Sequence, residues 1–91
     1  MNGRIWVLTI PHANFVPYLP PTCRAIKGQL ELGQGGFLHW QVIVWFSGNN
    51  RLTSVKKIFG STAHCELSRS EAANEYVWKE DTRVEGTQFK V

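Results

Sequence analysis

Along much of the chain, apolar and polar residues alternate in steps of two, and only two stretches repeat at helical spacing. Arg4 to Ile10 (R-I-W-V-L-T-I) is rich in β-branched and aromatic residues and predicts a strand that Pro11 ends. His12 to Pro21 holds three of the four prolines and reads as a loop. Cys23 to Leu32 begins after a helix-capping residue, Thr22, but the strand pattern takes over by Gln29. Leu32 to Gly36 (L-G-Q-G-G) is turn chemistry, and Phe37 to Phe46 is the strongest strand, broken by Ser47-Gly48-Asn49-Asn50. Arg51 to Phe59 sets Leu52, Val55, Ile58 and Phe59 at helical spacing and stops at Gly60. Ala63 to Leu67 predicts a short strand. Ser70 to Lys79 predicts a second helix, with Ser70 as N-cap and Glu71 in its first turn. Gln88 to Val91 is either an edge strand or a frayed end. This order predicts an α+β domain: an antiparallel sheet with helices on its faces.

A hairpin turning about Gly35 pairs Glu31 with His39 and Gln29 with Gln41. Side chains alternate between faces. One face then carries Leu30, Leu32, Leu38, Trp40, Val42, Val44 and Phe46, all apolar. The other carries Gln29, Glu31, His39 and Gln41 before Ile43 and Trp45. Trp40 falls on the apolar face and reads as core, whereas Trp6 and Trp45 fit either core or surface.

Ninety-one residues make one domain, long enough to bury roughly 60–65% of its unfolded surface without disulfides. With 43% hydrophobic and 19% charged residues, the composition excludes a disordered chain. The longest apolar run, Val42 to Phe46, is too short for a bilayer, and the N-terminus does not resemble a secretory signal. Cys23 and Cys65 form no C-x-x-C motif and are expected as buried free thiols of a reducing compartment. The net charge of +3 conceals an asymmetry. Residues 1–65 carry six bases against a single acid, Glu31, whereas residues 66–91 carry six acids against four bases. A basic body fits a polyanionic partner, and equally an ordinary solvated surface.

Two constellations could carry chemistry. Glu31, His39 and Gln41 bring a carboxylate, an imidazole and a carboxamide together on neighbouring strands, a donor set suited to Mg²⁺ or Mn²⁺. The competing reading is a solvent-facing strand with polar residues. On the second predicted helix, Tyr76 and Lys79 share one face. A phenol is a weak nucleophile near neutral pH unless its anion is stabilised by a neighbouring cation. The competing reading is a packed tyrosine beside a surface lysine.

With these residues in view, most of the chain resembles the N-terminal nicking domain of replication-initiator (Rep) proteins of circular single-stranded DNA viruses. These circovirus- and nanovirus-like proteins belong to the HUH endonucleases. Gly28-Gln29-Leu30-Glu31, a Gly-rich turn and Gly36-Phe37-Leu38-His39-Trp40-Gln41 resemble the second family motif with its upstream acidic ligand. Gln41 stands where the HUH pattern has its second His, as in circovirus-like members. Ala63-His64-Cys65-Glu66 resembles the A-H-x-E strand, and Glu75 to Gly86 (E-Y-V-W-K-E-D-T-R-V-E-G) resembles the third motif and its following run. The first motif departs: Trp6-Val7-Leu8-Thr9-Ile10-Pro11 replaces an F-T-L-N-N-P-like segment, which puts the DNA sequence preference in doubt.

The resemblance implies a sheet of about five antiparallel strands flanked by helices, related to the RNA-recognition and ferredoxin-like folds. It implies that Glu31, His39 and Gln41 bind one divalent ion, Mn²⁺ or Mg²⁺. Tyr76 would attack the scissile phosphate, giving a 5′-phosphotyrosine link and a free 3′-hydroxyl, with Lys79 assisting. The implied activity is nicking and rejoining of single-stranded DNA at a viral stem-loop origin, starting rolling-circle replication in the host cell nucleus. The implied setting is a single domain, residues 1–91, cut from a longer protein with a C-terminal helicase domain. No membrane partner is expected; the isolated domain would be monomeric, with oligomers open to the full-length protein. Arg4, Thr9, Lys56, Lys57, His64 and Arg69 are candidate DNA contacts, each equally readable as solvated surface. The alternative function is a non-catalytic single-strand-binding module on an RNA-recognition-like sheet, which would need no metal and form no adduct.

Overall fold

The computed structural model describes residues 2–68 and 77–91. Five strands form one antiparallel sheet: β1 (Asn2–Pro11), β2 (Cys23–Leu32), β3 (Leu38–Arg51), β4 (His64–Ser68) and β5 (Phe89–Lys90), in the order β4-β1-β3-β2-β5. A single described α-helix, α1 (Leu52–Phe59), joins β3 to β4. The architecture is α+β, as the order of elements predicts, and ferredoxin-like, as the resemblance implies.

The central position of β3 explains its continuous apolar run. Val42, Ile43 and Val44 are all buried although they alternate between faces, because both faces of the middle strand are covered. On one face, Trp6, Leu8 and Ile10 of β1, Ile26 and Leu30 of β2, and Trp40, Val42, Val44 and Phe46 of β3 join Val55 and Phe59 of α1 in the main core. Fully burying each such side chain stabilises the fold by roughly 1.5–3 kcal/mol. Phe15, from the proline-rich loop, closes the open end of this core. Its ring lies 6.1 Å from Trp40, 5.9 Å from Phe59 and 6.3 Å from Phe89, so the loop is a lid on the sheet.

The opposite face is covered in part by the segment that begins at Val77. Val77 and Ile43 are buried but lie outside the main core. The Trp78 indole N–H donates to the Gly28 carbonyl at 3.1 Å, and the Lys27 ammonium sits 3.9 Å from the Trp78 ring centroid. Beyond it the chain runs antiparallel to β2: Leu32 N–H donates to Thr82 O (2.9 Å), Val84 N–H to Leu30 O (3.0 Å), and β5 pairs with Lys27 and Gly28. The Thr87 hydroxyl accepts the Leu30 N–H (3.1 Å), so a side chain satisfies the donor that the edge backbone misses.

Several expectations need correction. β3 does not break at Ser47-Gly48-Asn49-Asn50 but runs on to Arg51, because Asn2 and Gly3 of β1 pair with Arg51 and Asn50. Thr22 caps no helix: β2 is extended from Cys23, which pairs with Phe46. Leu32, placed on the apolar face, is 52% exposed, since it lies in the last pair before the turn and outside the main core. The chain end is an edge strand rather than frayed. Trp6 is core, whereas Trp45 is half-buried. Gly60 ends α1 as expected, at φ +100° with its N–H on Lys56 O at 2.8 Å. Cys23 and Cys65 are free thiols, the first buried and the second half-buried. The predicted helix Ser70 to Lys79 lies, up to Tyr76, outside the described residues; its expected end does not form, since Val77 and Trp78 make a turn and Lys79 is irregular.

Candidate functional site

The hairpin register that alternation predicts is the one observed: Glu31 pairs with His39, Leu30 with Trp40 and Gln29 with Gln41. The turn needs backbone that L-residues avoid, and Gly35 and Gly36 supply it at φ 72° and 81°. Neighbouring strands extend the polar set into rows on one face. One row runs His64 (β4), Thr9 (β1), Gln41 (β3) and Gln29 (β2); the next runs Pro11, His39, Glu31 and Arg83.

This polar face is not a solvent-facing strand. Glu31 is 2% exposed, Gln29 0% and Gln41 5%. Buried polar groups need partners, and each has them. Gln41 donates its amide to the Leu8 carbonyl at 3.1 Å, which turns its Oε1 toward the Thr9 hydroxyl, the donor at 3.2 Å. Gln29 uses both amide hydrogens, on Glu31 Oε2 (3.0 Å) and the Lys79 carbonyl (2.7 Å). Its Oε1 accepts from Arg83 Nε at 2.9 Å.

The donor atoms fit a hard or borderline divalent ion. His39 Nδ1 lies 3.3 Å from the Phe37 carbonyl. A hydrogen on Nδ1 donated to that oxygen leaves Nε2 as the bare nitrogen of a neutral ring, and Nε2 faces Glu31 Oε1 at 3.5 Å. With Oε2 held by Gln29, the free carboxylate oxygen and the imidazole lone pair turn toward one another, an arrangement that a shared cation relieves. The Phe37 ring stacks on His39 at 4.9 Å and fixes its plane. The Gln41 carboxamide, two residues along β3 from His39 on the same face, offers a second oxygen donor that could complete a set with Glu31 and His39.

Of the other sequence candidates, Thr9 lies in the polar row beside Gln41. His64 is in the same row; exposed, it meets Glu66 Oε1 at 3.0 Å. The Lys79 backbone is tied to Gln29. The fold sets three candidates apart. Lys56 and Lys57 belong to α1, which packs on the opposite face, and Lys56 Nζ donates to the Ala63 and Ser61 carbonyls (2.8 and 3.3 Å), closing the α1–β4 turn. Arg4 is exposed near the far end of β1, five residues from Thr9, or roughly 17 Å at a strand's rise. Tyr76 and Arg69 lie outside the described residues.

Sequence reasoning missed Arg83 altogether and saw Gln29 only as a neighbour on the polar face. Arg83 is 54 residues from Gln29, and no local periodicity links them. Its one signal is that it sits within the K-E-D-T-R run.

Residues 3–80 match the model of the viral replication protein family, Viral_Rep. The Master replication protein of Banana bunchy top virus is 32% identical over 83 residues, which cover 89% of this chain and 29% of that protein's length. No helix among the described residues is long and apolar enough to cross a membrane. A Rep-type motif set, a five-stranded antiparallel sheet and a family match over most of its length lead to one conclusion: the chain belongs to the viral replication protein family.

Proposed function

We propose that this domain is a metal-dependent endonuclease and strand-joining enzyme acting on single-stranded DNA at a viral stem-loop origin. The observation that carries the reading is the convergence of Glu31 Oε1 and His39 Nε2, 3.5 Å apart, beside the Gln41 carboxamide. A bound Mn²⁺ or Mg²⁺ would supply charge neutralisation at the scissile phosphodiester. The residues do the rest. Glu31, His39 and Gln41 would hold the ion at the sheet face. The Tyr76 hydroxyl gives up its proton and its oxygen bonds to phosphorus as the bond to the 3′-oxygen breaks. That oxygen takes a proton and leaves as a free 3′-hydroxyl, while the 5′-phosphate stays linked to the protein. Attack by a 3′-hydroxyl on this link reverses the step and rejoins the strand, because the phosphotyrosine keeps an exchangeable phosphodiester. Lys79, three residues after Tyr76, would stabilise the developing phenolate. The setting carried by the same reading is rolling-circle replication in the host cell nucleus.

The test is an incubation of the protein with Mn²⁺ and a single-stranded oligonucleotide spanning the viral origin, resolved on a denaturing gel. A slower-migrating covalent adduct is expected, lost with EDTA and absent in Tyr76→Phe. An unchanged adduct yield in Tyr76→Phe would remove Tyr76 as nucleophile. DNA binding with steep salt dependence but no adduct would instead make the domain a non-catalytic binder.

A further inference from the structure

We infer that Gln29 and Arg83 are positioning residues that hold the Glu31 carboxylate in its metal-binding orientation; the inference rests on the metal-site reading above. The geometry gives the Gln29 side chain one fixed orientation. Its side chain is fully buried, both amide hydrogens and the carbonyl oxygen are engaged, and its amide orientation is therefore unambiguous. Glu31 Oε2 is pinned by that amide, so only Oε1 remains to face His39.

The amide is in turn fixed by Arg83. The guanidinium donates through Nε to Gln29 Oε1 at 2.9 Å and through Nη2 to the Trp78 carbonyl at 2.8 Å. Arg83 also sits opposite Glu31 in an antiparallel bridge, so the brace grows from the β2 edge at the level of the carboxylate. Two nitrogens of one planar group reach two acceptors, which a lysine ammonium on a flexible stem does not reproduce. Through the Lys79 and Trp78 carbonyls the same brace grips the backbone two and three residues after Tyr76 in sequence. Partners that orient metal ligands commonly set affinity by 10- to 100-fold.

The experiment titrates Mn²⁺ into the purified protein and counts free Mn²⁺ by electron paramagnetic resonance, with no DNA present. Arg83→Lys keeps the charge and loses the fork, so a changed affinity reports orientation rather than Coulomb repulsion. Its Mn²⁺ dissociation constant is expected to rise about tenfold. Val84→Ala serves as control: it loosens the same segment through the core side and should melt earlier while binding Mn²⁺ as wild type does. A folded Arg83→Lys with wild-type affinity overturns the inference, as does a Val84→Ala that loses as much affinity. A measurement on wild type needs no variant. During a Mg²⁺ titration, the Gln29 side-chain amide and Arg83 Nε–H resonances should shift with the same apparent constant as His39. If His39 shifts and they do not, the brace is not coupled to the site. Should wild type bind neither ion, the metal reading itself fails and this inference falls with it.

Discussion

Gln41 is a residue whose chemistry can be inverted by one atom. Its amide donates to the Leu8 carbonyl at 3.1 Å in a site only 5% exposed. Gln41→Glu keeps the shape but turns a carboxylate oxygen on that carbonyl, so two acceptors meet and the hydrogen bond is lost. A buried carboxylate oxygen left facing that carbonyl with no donor between them costs about 1–3 kcal/mol. For a domain of this size each kcal/mol lowers the melting temperature by roughly 4–8 °C. The Glu31 carboxylate on the same face adds repulsion. Burial, a facing carbonyl and a nearby like charge all raise the new carboxyl in the folded state above the ordinary value of about 4.3. The folded protein then binds that proton more tightly than the unfolded chain. The penalty is therefore complete above the folded value and shrinks as pH falls through it toward the unfolded value. Once protonated, the acid donates to Leu8 O as the amide did. Urea unfolding followed by tryptophan fluorescence in EDTA, at neutral and mildly acidic pH, reads both effects, with Gln41→Leu as a pH-independent comparison. The reasoning fails if Gln41→Glu stays within about 0.5 kcal/mol of wild type at neutral pH, the scatter of an ordinary surface change. It fails equally if the gap does not narrow in acid.

Other predictions are independent of the metal. A Cβ at Gly28 would lie 2.6 Å from the Gln41 carbonyl oxygen, 2.9 Å from a Val42 methyl and 3.1 Å from the Phe89 ring. Since the closest atom is backbone, Gly28→Ala should cost about 1–3 kcal/mol, whereas Gly48→Ala, with nothing within 4 Å, should not; equal melting temperatures would contradict this. Burial raises the thiols of Cys23 and Cys65 above their ordinary value near 9.0, and Lys56 only partly offsets the rise at Cys65. Native protein should therefore react with iodoacetamide at mildly alkaline pH more slowly than urea-unfolded protein, and equal rates would refute the burial argument. The thiols' contribution to stability is full below the unfolded-state value and is lost as pH rises through the folded one, so urea midpoints should fall in strongly alkaline buffer.

What the sequence by itself determined is local. Alternation with period two and a glycine turn were enough to put Glu31 opposite His39, because a hairpin's register follows from its own turn and its own faces. The helix from Leu52 to Phe59 and its stop at Gly60 were legible for the same reason. Tertiary structure decided whatever depends on a distant partner. Ser47 to Asn50 reads as a breaker, but pairing with the start of β1 draws the strand on to Arg51. The polar row reads as wet because its neighbours in sequence are polar; it is buried because residues 77–79 return to cover β2. Arg83, more than fifty residues from Gln29, shows no pattern that links the two. Only when the chain's end lies along the β2 edge does its guanidinium meet that amide, and with it the carboxylate that would hold the ion.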